Sequence, residues 1–535
     1  MWLLVFLVWF LVWVGGIYWY QLGRQSPFTL ESVRPPELLE LNQKKRDKVL
    51  KQANNWPQDY LFIYLFIFFF FFKQAPLIIS NIWDVHGICK CLHYIGQLHE
   101  TSLFKVVMDQ ITEGQLQFVE LDKHFDTVII DTGEEQRRYS MHSGKTEMEE
   151  HLKKQFPHDV KAVEEIFKMK VLCVFILAQC HFKSPRCVFC LIVISLYEPG
   201  VQPNNASSVI NALLLHHYKR GAYYPKGGAS EIPFHITKVI QKYVGNVLVR
   251  APVTRVLVNS KGAAYGVSIK KGQEEVEVRA PIIISNCGVF NTFKRLLPPE
   301  IQAKPEIQKR LDMLKPGRGS LLVFSGFDAT AEELGINSTN LWLFKNNDID
   351  AMSDEAPEKV PWMFITFPSA KDPTLKIRLP GKTCMTILTM VNYEWFEEWK
   401  DATVKKRRDD YMDYKMRFAK HLFDWACMYF PKLREKLVYQ DVATPLTNVH
   451  YLRHNLECFH IDVMAKNCCN TPDKHLFISG QDVFSCGIVG AVHGGLLCAS
   501  TALGQIVYVN LFLLKKKLKR RKAREMSAVG KEKLQ

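Results

Sequence analysis

The sequence predicts an α/β chain in which a doubly wound, mostly parallel sheet domain is interleaved with a second domain of α+β type. Two stretches carry that expectation. The first is Leu476 to Gln505 (LFISGQDVFSCGIVGAVHGGLLCASTALGQ), where a short apolar β-type run enters the turn Ser479-Gly480-Gln481-Asp482 and a Gly- and Ala-spaced helical run leaves it. In a doubly wound sheet this order puts a carboxylate and a helix N-terminus at the carboxyl edge of the strands, where nucleotides bind. The second is Val247 to Gly288. There the runs VLVR, VTRVLV, AYGVSIK and VEVR are separated by Pro252, Asn259-Ser260-Lys261-Gly262 and Lys271-Gly272, and so read as antiparallel hairpins. The continuously apolar run that follows, Ala280 to Gly288, reads as a buried parallel strand ending in a turn.

Taken in order, the chain opens on Met1 to Tyr20, an uncharged, Trp-rich run long enough to enter or span a bilayer, expected as a signal or a membrane anchor. Arg24, Arg34, Lys44, Lys45, Arg46, Lys48 and Lys51 follow it, and residues 21–52 read as a linker. Tyr60 to Phe72 (YLFIYLFIFFFFF) has neither helical nor strand periodicity. A poly-pyrimidine tract translates as a Phe run, and Phe68 to Gln74 is what the 3′ end of an intron would encode, so this stretch reads as retained non-coding sequence. From Leu92 the sequence is globular: a strand at His124 to Gly133, a charged amphipathic helix at Glu147 to Lys170, and an apolar Cys-rich run at 171–196 interrupted by Pro185. A helix over Ala206 to Tyr218 leads to the Gly-rich turn Gly221 to Gly228 and a helix carrying Glu231 to Lys242. Beyond the hairpins, Pro298 to Leu314 is helical. Ser320 to Phe327, Pro361 to Phe367 and Thr383 to Leu388 are strands of a second sheet, and Tyr393 to Trp399 opens a helical region reaching towards Leu433.

The composition bounds the function. The chain has 535 residues and a net charge of +15, but eight basic residues lie between Lys515 and Arg524, so the excess is largely one tail. No aromatic residue interleaves that run, so nucleic acid is not an expected partner, and anionic membrane lipid is. The 14 cysteines are irregularly spaced and make no disulfide framework. Cys180, Cys187 and Cys190 with His181 lack a second ligand pair, so no metal is expected. The paired carboxylates of Tyr393 to Trp399 read as a solvated face with Trp395 and Trp399 as packing partners. The run from Val483 to Leu514 carries no Asp, Glu, Lys or Arg and is long enough for a span, with Gly490 and Gly494 as a GxxxG pair. His493, Gln505 and Asn510 inside it favour a packed helix. On that reading Asp482 holds sugar hydroxyls and the amides near Gly487, Ile488 and Gly490 meet a pyrophosphate, helped by the positive end of the macrodipole.

Several phrases together resemble the carotenoid and retinoid oxidoreductases, phytoene desaturase-like flavoproteins of two-dinucleotide fold. They are LHYIG at 92–96, DQITEGQL at 109–116, YPKGGASEI at 224–232, FPSAKDPT at 367–374, YEWFEEW at 393–399, TPLTN at 444–448 and SGQDVFSCGIVGAVHGGLLCAS at 479–500. The resemblance covers most of the chain from Leu92 onward and is to the retinoid-reducing branch. It implies an FAD-dependent reductase of the endoplasmic reticulum membrane that saturates the 13,14 double bond of all-trans-retinol, with NAD or NADP as an electron source. Carried over residue by residue, it assigns Gly480 and Asp482 to the C-terminal flavin-binding turn, Gly487 and Gly490 to the helix beneath the pyrophosphate, and Val253 to the strand whose backbone borders the adenine; it assigns no catalytic acid or base. The expected parts are a signal or membrane anchor at 1–20, a linker at 21–52, an anomalous segment at 53–91 in place of the first FAD-binding unit, substrate-domain parts at 92–235 and 301–470, FAD-domain parts at 236–300 and 471–506, and a basic tail at 507–535.

The departures are specific. The family opens on a strand and GxGxxG followed by an acidic ribose ligand. Here Gly317-Arg318-Gly319 is followed by Leu322 in place of the third glycine, and residues 53–91 stand where the fingerprint belongs. Cys89-Lys90-Cys91 replaces the family's Asp-Thr-Gly ahead of LHYIG, and 171–196 and 453–470 depart as well. Two alternatives follow: a carotenoid isomerase-like or amine-oxidising flavoprotein, or a catalytically inactive, membrane-associated relative.

Overall fold

Ile283–Ser285, apolar but for Ser285, is fully buried, a position that the middle of a parallel sheet accommodates because both neighbours satisfy its backbone. In the computed structural model it is flanked in parallel by Leu77–Ile79 on one side and Leu476–Ile478 on the other. The structure describes residues 26–42, 77–79, 92–168, 215–248, 251–271, 273–314, 319–346, 360–400, 407–446, 468–485 and 487–532, with a few isolated positions. The Met1 to Tyr20 anchor, the Phe run, the Cys-rich run at 171–196, the Gly317-Arg318 pair and most of 453–470 lie outside the described residues. The segment 53–91, expected only to displace the first binding unit, contributes a strand of the parallel sheet at Leu77–Ile79.

The hairpin region forms three antiparallel strands, Val253–Val258, Ala264–Lys271 and Glu274–Arg279. A fourth was expected at VLVR. Val247 and Leu248 instead run as irregular chain, and Val247 is buried in the core. The hairpin sheet is stitched to the parallel one where the Ala264 amide donates to the Lys474 carbonyl at 2.9 Å. Val256, Val267 and Val278 pack with Ile283, Leu476 and Ile478 over Phe293, Leu296 and Leu311.

The second domain is a seven-stranded sheet in the order Leu437–Ala443, Gly319–Phe327, Thr383–Val391, Trp362–Thr366, Asn340–Phe344, His124–Asp131 and Gln136–His142. Within it only Asn340–Phe344 and His124–Asp131 pair in parallel. The period of two decides what each face meets. Ile129, Leu343 and Ile365 face the helix Asp409–Tyr429 through Phe418, Leu422 and Ala426. Val128, Trp342, Phe344 and Phe364 face the opposite side, where Met148 and Leu152 of the helix Glu147–Gln155 cover them. The single helix expected over Glu147 to Lys170 is two, Glu147–Gln155 and Val160–Lys168, because Pro157 disfavours helical backbone at Phe156.

The charge-free run from Val483 to Leu514 is divided between two helices, Gly487–Leu503 and Val507–Glu532, bent by 115° at Gly504 to Ile506. Neither helix alone is long and apolar enough to cross a membrane. His493 Nδ1 and the Tyr508 hydroxyl lie 2.6 Å apart across the bend, and the Val507 amide donates to Ser500 Oγ. Val492, Leu496 and Ala499 from one helix and Val507, Leu511 and Leu514 from the other are buried against Phe104, Val107 and Ile111 of the helix Leu103–Ile111. Val507, Asn510, Leu511 and Leu514 are therefore buried rather than part of a solvated tail. Leu511→Ala is expected to cost about 2–5 kcal/mol of stability, the usual range for truncating a fully buried leucine; urea unfolding of the variant measures it.

Candidate functional site

At the carboxyl edge of the parallel sheet, two strand ends meet. Ile283–Ser285 continues into Asn286-Cys287-Gly288, and Leu476–Ile478 into Ser479-Gly480-Gln481-Asp482. Gly288 and Gly480 take positive φ of 91° and 90°, a backbone region that a side chain strains. Contact distances explain the second. A Cβ on Gly480 would lie 1.7 Å from Asn286 Oδ1, and one on Gly494 would lie 2.0 Å from the Gly480 carbonyl oxygen. The helix Gly487–Leu503 thus rests its backbone directly on the strand end.

The predicted residues are brought together in part. Gly480, Asp482, Gly487 and Gly490 share the turn and the first turn of the helix. Gly490 has no room for a Cβ because the Ser485 carbonyl oxygen would be 1.8 Å away, whereas among the described residues nothing lies within 4 Å of a Cβ on Gly487. Among the described residues, the approach to the helix N-terminus is open at Gly487 and filled behind it. Val253 stands apart from the turn, at the start of the hairpin sheet, half-buried among the apolar side chains beneath the same strands.

Asp482 faces inward. Its side chain is buried, and Oδ2 accepts the Val289 amide at 2.8 Å, tying the C-terminal turn to the short helix Val289–Asn291 that follows the central strand. Burial pushes its carboxyl up to about 6, against the opposing pull of the Val289 hydrogen bond and the Arg310 charge. The sugar-binding role expected of Asp482 thus falls on a group already engaged in holding two strand ends together.

A flavin dinucleotide fits this edge from one side. The open helix N-terminus at Gly487 and the positive-φ glycines make the C-terminal half of a pyrophosphate cradle. The residues that follow Leu77–Ile79, 80–91, lie outside the described residues, and their sequence holds one glycine, Gly87. Asn286, Gly288 and Gly494 were missed as parts of the edge. The spacing of Gly490 and Gly494 on one helix face is the available signal for a close backbone approach, and in the sequence the same pair also fits the rival membrane-span reading.

The sequence also gave no sign of a buried polar cluster beneath the seven-stranded sheet. Asp126, on the strand His124–Asp131, is fully buried and accepts from the Tyr94 hydroxyl at 2.7 Å, Asn340 Nδ2 at 2.6 Å and Trp342 Nε1 at 3.2 Å. The Lys371 ammonium, also buried, donates to Asn340 Oδ1, to Thr366 Oγ1 at 2.6 Å and to the His93 carbonyl at 2.9 Å. Burial pushes the Asp126 carboxyl up and the Lys371 ammonium down. Carboxylate and ammonium are bridged by one amide, so the two charged groups are close to neutral together and both hydrogen-bonded, the condition under which a buried ionisable group is tolerated.

No family model matches the chain. Among curated proteins it is similar to the Danio rerio protein named "Inactive all-trans-retinol 13,14-reductase", at 42% identity over 98% of this chain and 100% of that one. It is also similar to the Danio rerio all-trans-retinol 13,14-reductase, at 34% identity over 95% and 97%, and to that of Homo sapiens, at 33% over 93% and 95%. The first alignment runs to 602 positions against 535 residues in this chain, so the relative carries stretches that this chain lacks. Among solved structures, an oxidoreductase from Methanosarcina mazei is similar over 78% of this chain and 88% of its own, at 13% identity and a TM-score of 0.49.

Two variants probe the sheet edge. Ala in a helix interior is worth about 1 kcal/mol over Gly, but at Gly494 the added carbon meets backbone that cannot rotate away. Gly494→Ala should therefore lose about 1–2 kcal/mol net, as overpacking does, seen as a lower thermal midpoint. For Asp482, a folded pKa of about 6 against an ordinary 3.8 means that the folded state binds the proton more tightly than the unfolded one. Its contribution is most favourable below the ordinary value and declines as pH rises through the folded one. Asp482→Asn, whose side-chain oxygen still accepts the Val289 amide, should flatten that decline in denaturation midpoints measured from pH 4 to 7.

Proposed function

Because the chain belongs to the all-trans-retinol 13,14-reductase family, we propose that it is an FAD-dependent oxidoreductase that saturates the 13,14 double bond of all-trans-retinol. The observation that carries this reading is similarity over nearly the whole length to proteins named for that reaction, at 33–34% identity. The turn and helix at Gly480 to Gly490 support FAD as the cofactor, since a helix N-terminus with an open approach suits a pyrophosphate. When bound, the flavin supplies the hydride chemistry that no side chain provides. In this reading Gly487 leaves the helix amides open to the pyrophosphate and Gly480 lets the strand end pass beneath it. Asp482 keeps the two strand ends in register, and NAD or NADP is the electron source upstream.

The protein is further proposed to lie at the endoplasmic reticulum membrane. Met1 to Tyr20 is an uncharged apolar run, and the far half of the helix Val507–Glu532 offers exposed Lys and Arg side chains to anionic lipid.

A second reading, a catalytically inactive relative, is favoured by two observations. The sequence has no GxGxxG after its first parallel strand, and a relative of 42% identity carries "Inactive" in its name. Without the first Gly-rich turn, half of the pyrophosphate's amide donors are lost. Expression of the full chain, followed by its visible absorption spectrum and by chromatography of products from all-trans-retinol under reducing conditions, separates the two. A flavin spectrum with 13,14-dihydroretinol formation is the expected outcome. Bound flavin without that product overturns the reductase reading, and protein free of flavin establishes the inactive one.

A further inference from the structure

Leu92 to Gly96 is held on one side by backbone and on the other by a ring nitrogen. Ile95 exchanges two backbone hydrogen bonds of 2.8 Å with Tyr223, and the Gly96 amide donates to His217 Nε2 at 2.8 Å. No side chain fits at Gly96, where a Cβ would lie 2.2 Å from the His217 carbonyl oxygen. His93 and Tyr94 are thereby presented at a fixed place beneath the seven-stranded sheet, and both are tied into the buried cluster. The Tyr94 hydroxyl reaches Asp126, and the His93 carbonyl receives Lys371.

One component of that cluster is left over. Asp126, Asn340, Thr366 and Lys371 are closed to solvent and bonded to one another, whereas both ring nitrogens of His93 are shielded from water and have no hydrogen-bond partner among the described residues. Leaving a buried donor and a buried acceptor unmade costs about 1–3 kcal/mol each, so the ring is not there for stability. His93 and Tyr94 are also the members that keep partial exposure, so the network reaches accessible space through them. The ring stands edge-on to Phe364 at 4.9 Å, and Tyr94 lies 4.9 Å from Tyr218, itself partly exposed.

Resting on the retinoid reading above, we propose that His93 is the anchor for the hydroxyl end of a conjugated polyene alcohol, whose apolar chain lies along Tyr94 and Tyr218. The end group follows from the chemistry of the ring. Burial, and then the Lys371 charge, push the His93 imidazole down to about 3, so it is neutral and offers one donor and one acceptor. A hydroxyl also has one donor and can accept. A carboxylate has no donor for the bare ring nitrogen, and an ammonium group faces the charge of Lys371. Lys371 is a positioning residue in this scheme, acting through the His93 carbonyl.

The test needs neither flavin nor turnover. Binding of all-trans-retinol to the full-length protein is read by energy transfer from tryptophan, alongside the analogue in which a methyl group replaces the hydroxymethyl end. The wild type is expected to prefer retinol by roughly five- to tenfold, the worth of one neutral hydrogen bond in a shielded site. His93→Phe should bind the analogue as the wild type does and lose the preference, and His93→Gln, which keeps a donor and an acceptor, should recover part of it. Melting curves establish that each variant folds; if His93→Phe does not, the wild-type preference and its size in His93→Gln decide. A preference undiminished in His93→Phe, or none in the wild type, overturns the assignment while leaving the retinoid reading intact. Failure of the wild type to bind retinol at all, with no dihydroretinol formed in the product assay, overturns both.

Discussion

Two parallel strands more than 190 residues apart in sequence are held in register at their carboxyl ends by the contact between Asp482 and the Val289 amide. The contact is costly, since it withdraws a carboxylate from water, and it persists because neighbouring geometry leaves the turn little alternative. Gly480 sits against Asn286, Gly494 sits against Gly480, and the helix beginning at Gly487 is aimed by both. Whatever occupies the space in front of that helix meets a floor built from these contacts. The same economy governs the second domain, where Lys371 and Asp126 share Asn340 and so fix Tyr94 and His93 from below.

Much of the architecture was legible from residue patterns. The runs at Val253–Val258, Ala264–Lys271 and Glu274–Arg279 alternate with turn residues at each end, and the hairpins follow. Ile283–Ser285 announced itself by being apolar on both faces. Of VLVR, Val247 and Leu248 run as irregular chain, since β-branched residues mark burial as readily as strand, and Val249 and Arg250 lie outside the described residues. The charge-free run from Val483 was ambiguous by hydropathy alone, because a window average does not register the 115° bend at Gly504.

The site was less legible than the fold, for a physical reason. Gly480, Asp482, Gly487 and Gly490 are neighbours in sequence, so a local motif finds them. Asp126, Asn340, Lys371 and His93 are brought together from four separated segments, and each alone reads as an ordinary polar residue. Asp482 was placed correctly at the strand end, but the direction of its side chain depends on Val289, and no local pattern encodes a partner that distant.

The parallel sheet draws its strands from Leu77–Ile79, Ile283–Ser285 and Leu476–Ile478, close to the two ends and the middle of the chain. During synthesis, then, the central strand emerges long before its second neighbour exists. The seven-stranded sheet completes with Leu437–Ala443, earlier in the chain than Leu476, so that domain can condense while the parallel one is still open. Until the chain beyond Gly487 leaves the ribosome, the apolar helix Leu103–Ile111 lacks the bent helix pair that covers it. A ribosome that stops short of Gly487 thus releases a chain with one finished domain and one exposed core, which is the kind of species chaperones retain and proteases remove.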